Sequence, residues 1–92
     1  MKKDYYIYPA VFNYEDKQIR ISFPDLPGCF SCGKNDEDAL FMAKDVLGLY
    51  LVSAEEDGEE LKEPSRLNEI KLDKNERTVL VEVNMLLFRV HF

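Results

Sequence analysis

The sequence predicts an α+β fold: a two-layer sandwich of the order β-β-β-α-β, in which one long helix covers one face of a small, mostly antiparallel sheet. Apolar residues alternate in the segments 5–14, 19–23 and 78–84, as they do in strands. From residue 40 to residue 54 they recur at three- and four-residue spacing, as in a helix. The chain has 92 residues, which is room for one domain with one core.

The first two strands are predicted to form a hairpin. In residues 5–14, aromatic and β-branched residues occupy both sets of alternating positions, so this strand is predicted to be apolar on both faces. The polar run 15–17 is short enough for a hairpin connection. Apolar and polar residues then alternate from Ile19 to Phe23, which predicts a second strand with one buried face.

A proline-framed loop leads to the third strand. Pro24 and Pro27 each fix a φ angle and remove a backbone N–H donor, so the segment 23–28 must leave the sheet as a rigid loop. A brief strand from Cys29 to Cys32 is predicted to follow, because Gly33 then interrupts the extended pattern.

The long helix is predicted to begin after Asn35. Asn35 followed three residues later by an acidic residue is a variant of the capping box, and the acidic run 36–38 suits the positive end of the helix dipole. The helix ends near Gly58, after about six turns. Its apolar stripe consists of Leu40, Ala43, Leu47, Tyr50, Leu51 and Ala54.

The rest of the chain divides into three parts. Residues 58–76 are mostly charged and are predicted to form an ordered surface crossover, which leads to a fourth strand over 78–84. We expect residues 1–84 to form one domain. Residues 85–92 are an apolar tail without a polar end, which indicates a truncated product.

The charge balance limits the partners that the chain can have. With 12 Lys and Arg against 18 Asp and Glu, the formal charge is −6 and the pI is near 4.7. Phosphate binding needs a concentrated basic surface, so this balance argues against a free-standing nucleic-acid binder and favours a basic protein partner. Since so small a core gives little net stability, we expect a homodimer or higher homo-oligomer.

Neither export nor membrane insertion is indicated. No segment approaches the roughly 20 apolar residues that a membrane helix needs. The N-terminus has two lysines but no apolar stretch of the signal-peptide type behind them. The sequence therefore predicts a cytoplasmic protein that does not bind membranes.

From the sequence, we expect the two cysteines to have a structural role and not to form a metal site with the single histidine. Cys29 and Cys32 have C-x-x-C spacing, but a zinc site needs four ligands and only His91 remains as a further one. In a strand, positions i and i+3 point to opposite faces, so the two thiols cannot converge without a turn. No nucleophile stands beside His91, and no glycine-rich phosphate loop is present. We expect no catalytic residues, no metal and no cofactor.

One alternative function is a small magnesium-dependent ribonuclease. Asp25 could converge with Asp36, Glu37 and Asp38 at the helix start, and clustered carboxylates can hold Mg²⁺ for phosphodiester hydrolysis. Turn chemistry and the helix dipole explain the same residues without catalysis, and we favour that explanation.

A second alternative is an RNA-binding module. In it, Tyr5, Tyr6 and Tyr8 would provide platforms on which bases stack. Core packing and dimer packing explain these tyrosines equally well.

Three stretches of the sequence together resemble the N-terminal domain of HicB antitoxins. They are residues 8–12, the run 23–30 and the helix start 36–40 with Ala43. The sequence Pro-Asp-Leu-Pro-Gly-Cys at 24–29 is the specific part of the likeness. The helix end with its following loop and the last strand are also similar to the family, so the resemblance covers most of the chain.

The resemblance implies a domain with a partial ribonuclease-H-like fold that has lost catalytic activity. It also implies that the protein is the antitoxin of a type II toxin–antitoxin system. Such a domain binds and masks HicA, a small basic toxin that cleaves mRNA. Family members usually continue into a DNA-binding segment, but nothing after Asn84 resembles one, so we expect no direct DNA binding by this chain. The residues that the resemblance points to as toxin-facing or structurally decisive are Asp25, Leu26, Pro27, Asp36, Glu37 and Asp38.

Overall fold

The chain folds into a four-stranded sheet with one long helix on one face. The computed structural model describes residues 3–89. Its elements are β1 (Tyr5–Tyr14), β2 (Ile19–Ser22), β3 (Phe30–Gly33), α1 (Asp36–Glu56), β4 (Glu76–Asn84) and α2 (Met85–Arg89). The strand order is β3-β2-β1-β4, and every neighbouring pair is antiparallel. The predicted α+β class and the β-β-β-α-β order are confirmed.

Strand β1 lies inside the sheet and is buried on both faces at its centre, as predicted. Tyr8, Ala10 and Phe12 belong to the core under α1, whereas Pro9 and Val11 are buried on the opposite face. The Tyr14 N–H donates across to the Asn75 carbonyl (2.9 Å), so the even-numbered residues of β1 direct their backbone groups towards β4. Pro9 is an odd-numbered residue, so its backbone faces the β2 side of β1. Because β2 pairs with β1 only from Val11 onwards, the missing N–H of Pro9 costs no hydrogen bond between strands.

Helix α1 begins with a side-chain cap. Asn35 Oδ1 accepts the Asp38 N–H (2.8 Å), and Asp38 Oδ2 accepts the Lys34 N–H (2.9 Å). In a regular capping box Asp38 would accept the N–H of Asn35, the cap residue itself. Here Asp38 accepts the N–H of Lys34, one residue earlier, so the arrangement is a variant of the capping box. The residues of α1 that are buried against the sheet and α2 are Ala39, Ala43, Leu47, Gly48, Leu51 and Ala54. Leu40 is exposed and Tyr50 is half-buried, so these two predicted members lie at the margins of the stripe.

Helix and sheet approach most closely at the start of α1. A Cβ atom on Gly33 would lie 2.5 Å from the Cα atom of Ala39. Only glycine fits there, because the neighbouring atom is backbone and cannot turn aside. Gly33, which the sequence indicated as the end of a strand, is thus also a packing residue.

The short helix α2 packs on α1. Met85 is fully buried, and the Phe88 ring lies where a side chain on Gly48 would be. Arg89 makes a two-pronged contact with Glu55 (2.6 and 3.0 Å) and also reaches Asp4 (3.3 Å). The segment expected to be an apolar tail therefore begins as a packed helix, and residues 90–92 lie outside the described residues.

The connection between α1 and β4 lies largely at the surface. Within residues 58–75 its one regular element is a 3-10 turn at Leu67–Glu69. Leu61 packs against the core, whereas Leu67 and Leu72 are exposed. No helix within residues 3–89 is long and apolar enough to cross a membrane.

Candidate functional site

The proline-framed loop, residues 24–28, is closed by backbone hydrogen bonds at its base. Phe23 donates to the Cys29 carbonyl (3.1 Å) and accepts from the Leu26 N–H (3.0 Å), while Cys29 donates to the Leu26 carbonyl (3.0 Å). Gly28 has a φ of 87°, which glycine adopts without strain. Leu26 is 2% exposed and belongs to the core, so it anchors the loop from inside.

Asp25 is buried and faces the crossover. Its side chain is 1% exposed; its Oδ2 accepts the Ser65 N–H (2.8 Å), and its Oδ1 accepts the Ser65 hydroxyl. Lys62 Nζ lies 3.4 Å from Oδ1. Burial alone would raise the pKa of this carboxyl, but the Ser65 hydrogen bonds and the Lys62 charge outweigh it and lower the pKa. Asp25 is therefore ionised and ties the crossover to the loop.

The outer surface of the loop carries its two prolines. Pro24 and Pro27 are exposed, and the Tyr50 hydroxyl donates to the Pro27 carbonyl (3.1 Å). A groove of about 430 Å³ runs between these prolines and the segment 59–62. Of the three loop residues predicted from the sequence, Pro27 is thus the one available to a partner.

The predicted carboxylates at the helix start differ in their contacts. Asp36 accepts a hydrogen bond from the Tyr14 hydroxyl (2.5 Å) and lies 3.5 Å from Arg77. Glu37 is exposed, and Asp38 is half-buried in its capping role. Asp36 and Glu37 therefore present negative charge at the surface.

The loop and the helix start do not converge. Asp25 lies beside the part of α1 near Tyr50, which is 14 residues, or about 21 Å, along the helix from Asp36. Within the described residues 3–89, no group of three or more His, Cys, Asp and Glu side chains is arranged to hold a metal ion. The carboxylate cluster required by the ribonuclease alternative is not assembled.

A larger acidic groove, which was not predicted from the sequence, lies at the C-terminal end of α1. It encloses about 780 Å³ between the start of β1 and the start of the crossover. Six of the nine residues 55–63 are acidic, which is the signal that would have indicated it. The glutamates that line the groove are Glu55, Glu59, Glu60 and Glu63.

The three tyrosines of the RNA-binding alternative do not form one platform. Tyr8 is buried and donates its hydroxyl hydrogen to the Lys62 carbonyl (2.6 Å). Burial, with the nearby Glu63 charge, raises the pKa of Tyr8 to about 12. Tyr6 stacks on Tyr8, whereas Tyr5 projects from the other face of the strand. Tyr8 serves the fold and is not available to a base.

The two cysteines are free and differ in environment. Cys29 is buried, with its thiol directed at the Val46 carbonyl (3.9 Å), and Cys32 is exposed. Burial raises the pKa of the Cys29 thiol to about 11, so its reactive thiolate form is scarce near neutral pH.

A folded sample is therefore expected to release one equivalent of thionitrobenzoate from DTNB near neutral pH, from Cys32. The second equivalent should appear only after denaturation. In a Cys32→Ser control, the folded chain should release almost none. Rapid reaction of that control would contradict the burial of Cys29.

The comparisons with known proteins agree with this architecture. A chain of a toxin–antitoxin complex from Streptococcus pneumoniae superposes with a TM-score of 0.83 at 24% identity, covering 91% of this chain and 72% of that one. A chain of the HicA3 and HicB3 toxin–antitoxin complex gives 0.65 at 24% identity, covering 86% and 96%. The N-terminal domain of the Burkholderia pseudomallei antitoxin HicB gives 0.68 at 20% identity, covering 83% and 95%. These likenesses establish a shared fold.

Two sequence comparisons go further. An uncharacterised 14.9 kDa protein from the rep-hol intergenic region of Haemophilus phage HP1 is 34% identical over 55 residues, 60% of this chain. The aligned part spans 41% of the phage protein. The family model of HicB_like antitoxins of bacterial toxin–antitoxin systems matches residues 8–90. Since that match takes in the proline-framed loop, α1 and all of the sheet except the first three residues of β1, the chain belongs to the HicB-like antitoxin family.

Proposed function

We propose that this chain is an antitoxin that binds a HicA-like toxin in the cytoplasm and masks the surface with which the toxin cleaves mRNA. The observation that carries this proposal is the family match over residues 8–90. The likeness to chains taken from two toxin–antitoxin complexes supports it. The formal charge of −6 suits a partner whose own surface must attract RNA.

The proposal gives the predicted site residues two roles. Asp25 and Leu26 are each 2% exposed, so they hold the loop in shape and do not contact the toxin. Pro27, Asp36 and Glu37 are exposed and face it, with Asp38 holding the start of α1 beside them. A standard interface of about 800 Å² per partner is wide enough to include both the loop and the helix start.

The role is binding without catalysis. Asp25 is engaged by Ser65 and Lys62. The helix-start carboxylates lie about 21 Å along α1 from Tyr50, the part of the helix beside which Asp25 lies. Inhibition of the toxin then follows from occupying its surface, with charge speeding the encounter and buried apolar contacts setting the lifetime of the complex.

Co-expression of this chain with the HicA-like toxin encoded beside its gene is expected to yield a stable complex and to stop toxin-dependent mRNA decay. Pull-down and an mRNA-decay assay, with and without the chain, measure the two effects. A toxin that stays unbound and active would overturn the function. RNA cleavage by the isolated chain would contradict its non-catalytic part.

A matched pair of double variants tests the surface separately. Asp36→Asn with Glu37→Gln should slow association with the toxin by up to about tenfold at low salt. Asp57→Asn with Glu63→Gln removes the same charge from the end of α1 and the acidic groove, at positions that do not line the groove beside Pro27, and should have less effect. If the variant at the acidic groove slowed association more than the variant at the helix start, the toxin would bind at the groove. The proposed antitoxin function would still hold.

A further inference from the structure

β4 is an edge strand of the sheet, and within residues 3–89 no other strand pairs with its outer side. The Tyr14–Asn75 hydrogen bond (2.9 Å) and the Met85–Asp4 hydrogen bond (2.7 Å) bracket the β1–β4 ladder. They show that odd-numbered residues of β4 direct their backbone groups to β1. Thr78, Leu80 and Glu82 therefore direct theirs outwards, and among residues 3–89 no backbone hydrogen bond beyond the ladder reaches them.

This edge lacks several of the features that keep edges apart, and its charged residues, Glu76, Arg77 and Glu82, lie away from its centre. Its register with β1 runs without a bulge from Glu76 to Asn84, and it contains neither proline nor lysine. The centre of the strand is Val79, Leu80 and Val81, and Leu80 is 57% exposed. A long, regular, apolar edge of this kind favours pairing with another strand.

The sequence of β4 fits a second copy of itself. In an antiparallel pair centred on Leu80, this residue faces the partner's Leu80 and each exchanges both backbone hydrogen bonds. Thr78 faces the partner's Glu82, and Glu76 faces the partner's Asn84. No two like charges are directly opposed, so the strand is complementary to its own two-fold copy.

The groove beside this edge extends the apolar surface. It encloses about 370 Å³ and has the end of β4 as one wall. Phe41 is 67% exposed and Leu87 is 75% exposed in its lining. The charged residues Lys44 and Asp45 of α1 lie side by side in its lining and carry opposite signs. A second copy paired at the edge would therefore cover an apolar surface.

We propose that two copies of this chain pair antiparallel through the outer edges of β4, centred on Leu80, and join their sheets into one. The apolar groove beside each edge is then covered by the partner. The proposal does not depend on the toxin, because it concerns the isolated chain.

Cysteine cross-linking tests the register. In a Cys32→Ser background, Leu80→Cys places two Cα atoms about 5.5 Å apart across the two-fold axis, which suits a disulfide. Mild oxidation should therefore give a covalent dimer. Thr78→Cys is the matched control, because its two copies would lie about 14 Å apart and should not link. A mixture of Thr78→Cys and Glu82→Cys chains should link again. Linking by Thr78→Cys alone, or none by Leu80→Cys, would overturn the register.

Sedimentation of the whole chain tests the association itself. The unmodified chain should be a dimer, and Leu80→Lys should be a monomer that keeps the circular dichroism spectrum of the fold. Leu49→Lys changes a leucine that is equally exposed, at 57%, but lies on α1, and it should remain a dimer. A monomeric unmodified chain, as expected if a foreign strand occupies this edge, would refute the proposal, as would a dimeric Leu80→Lys variant.

Discussion

Leu47→Ala is expected to lower the free energy of unfolding by about 3 kcal/mol. Leu47 is fully buried near the middle of α1 and belongs to the core that α1 forms with β1, β2 and β4. Removing its branched end takes apolar contacts from this core and leaves a cavity that close-packed neighbours fill only in part. For a domain whose total stability is about 5–15 kcal/mol, such a loss is a large fraction.

Urea denaturation followed by circular dichroism measures this effect. The matched control is Leu49→Ala, two residues along the same helix, where the side chain is exposed. That change should cost less than about 0.5 kcal/mol, because it removes little buried surface and improves helix propensity slightly. Equal losses at the two positions would mean that α1 does not present Leu47 to the sheet.

Asp25→Asn is expected to cost about 2 kcal/mol near neutral pH. The amide of this variant has no charge for Lys62 and the two Ser65 donors to stabilise. One of its two ends is also an NH₂ group, which cannot accept a hydrogen bond from Ser65 as the carboxylate oxygen does. Asp16→Asn, in the exposed β1–β2 connection, is the control and should change stability by less than about 0.5 kcal/mol.

The dependence on pH tests the charge directly. The pKa of Asp25 is lowered in the folded chain, so its contribution is complete above the unfolded pKa of about 3.9 and is lost as the pH falls through the folded value. The stability difference between the unmodified chain and Asp25→Asn should therefore be constant near neutral pH and shrink in acid. A difference that grows in acid would contradict an ionised Asp25.

Local sequence was enough to predict the four strands and α1. The alternating residues of β1 gave its bounds, Tyr5–Tyr14, and the Asn35 cap gave the start of α1. The third strand begins one residue later than predicted because the Cys29 N–H closes the loop onto Leu26. The fourth begins two residues earlier than predicted, because a turn from Asp73 to Glu76 aligns the chain with β1 before Thr78.

The contacts that were missed join residues far apart in the chain. In the sequence, Asp25 resembles an ordinary turn residue. In the fold it is buried and accepts hydrogen bonds from Ser65, which is 40 positions later in the chain. Helix α2 has no capping signal in the sequence, and it is held by Phe88 against Gly48 and by Arg89 on Glu55. Neither pairing could be predicted, because each depends on how the crossover returns the chain to β1.

The pairing of the first strand with the last has a consequence for how the protein is made. Tyr5 lies opposite Asn84, so β1 stays without its β4 neighbour until nearly the whole described chain has left the ribosome. At about 5–20 residues per second, translating the stretch from Tyr14 to Glu76 takes roughly 3–12 s. During that interval the nascent chain carries an open strand edge beside apolar side chains. The toxin binding proposed above would therefore begin only after β4 has been synthesised and has paired with β1.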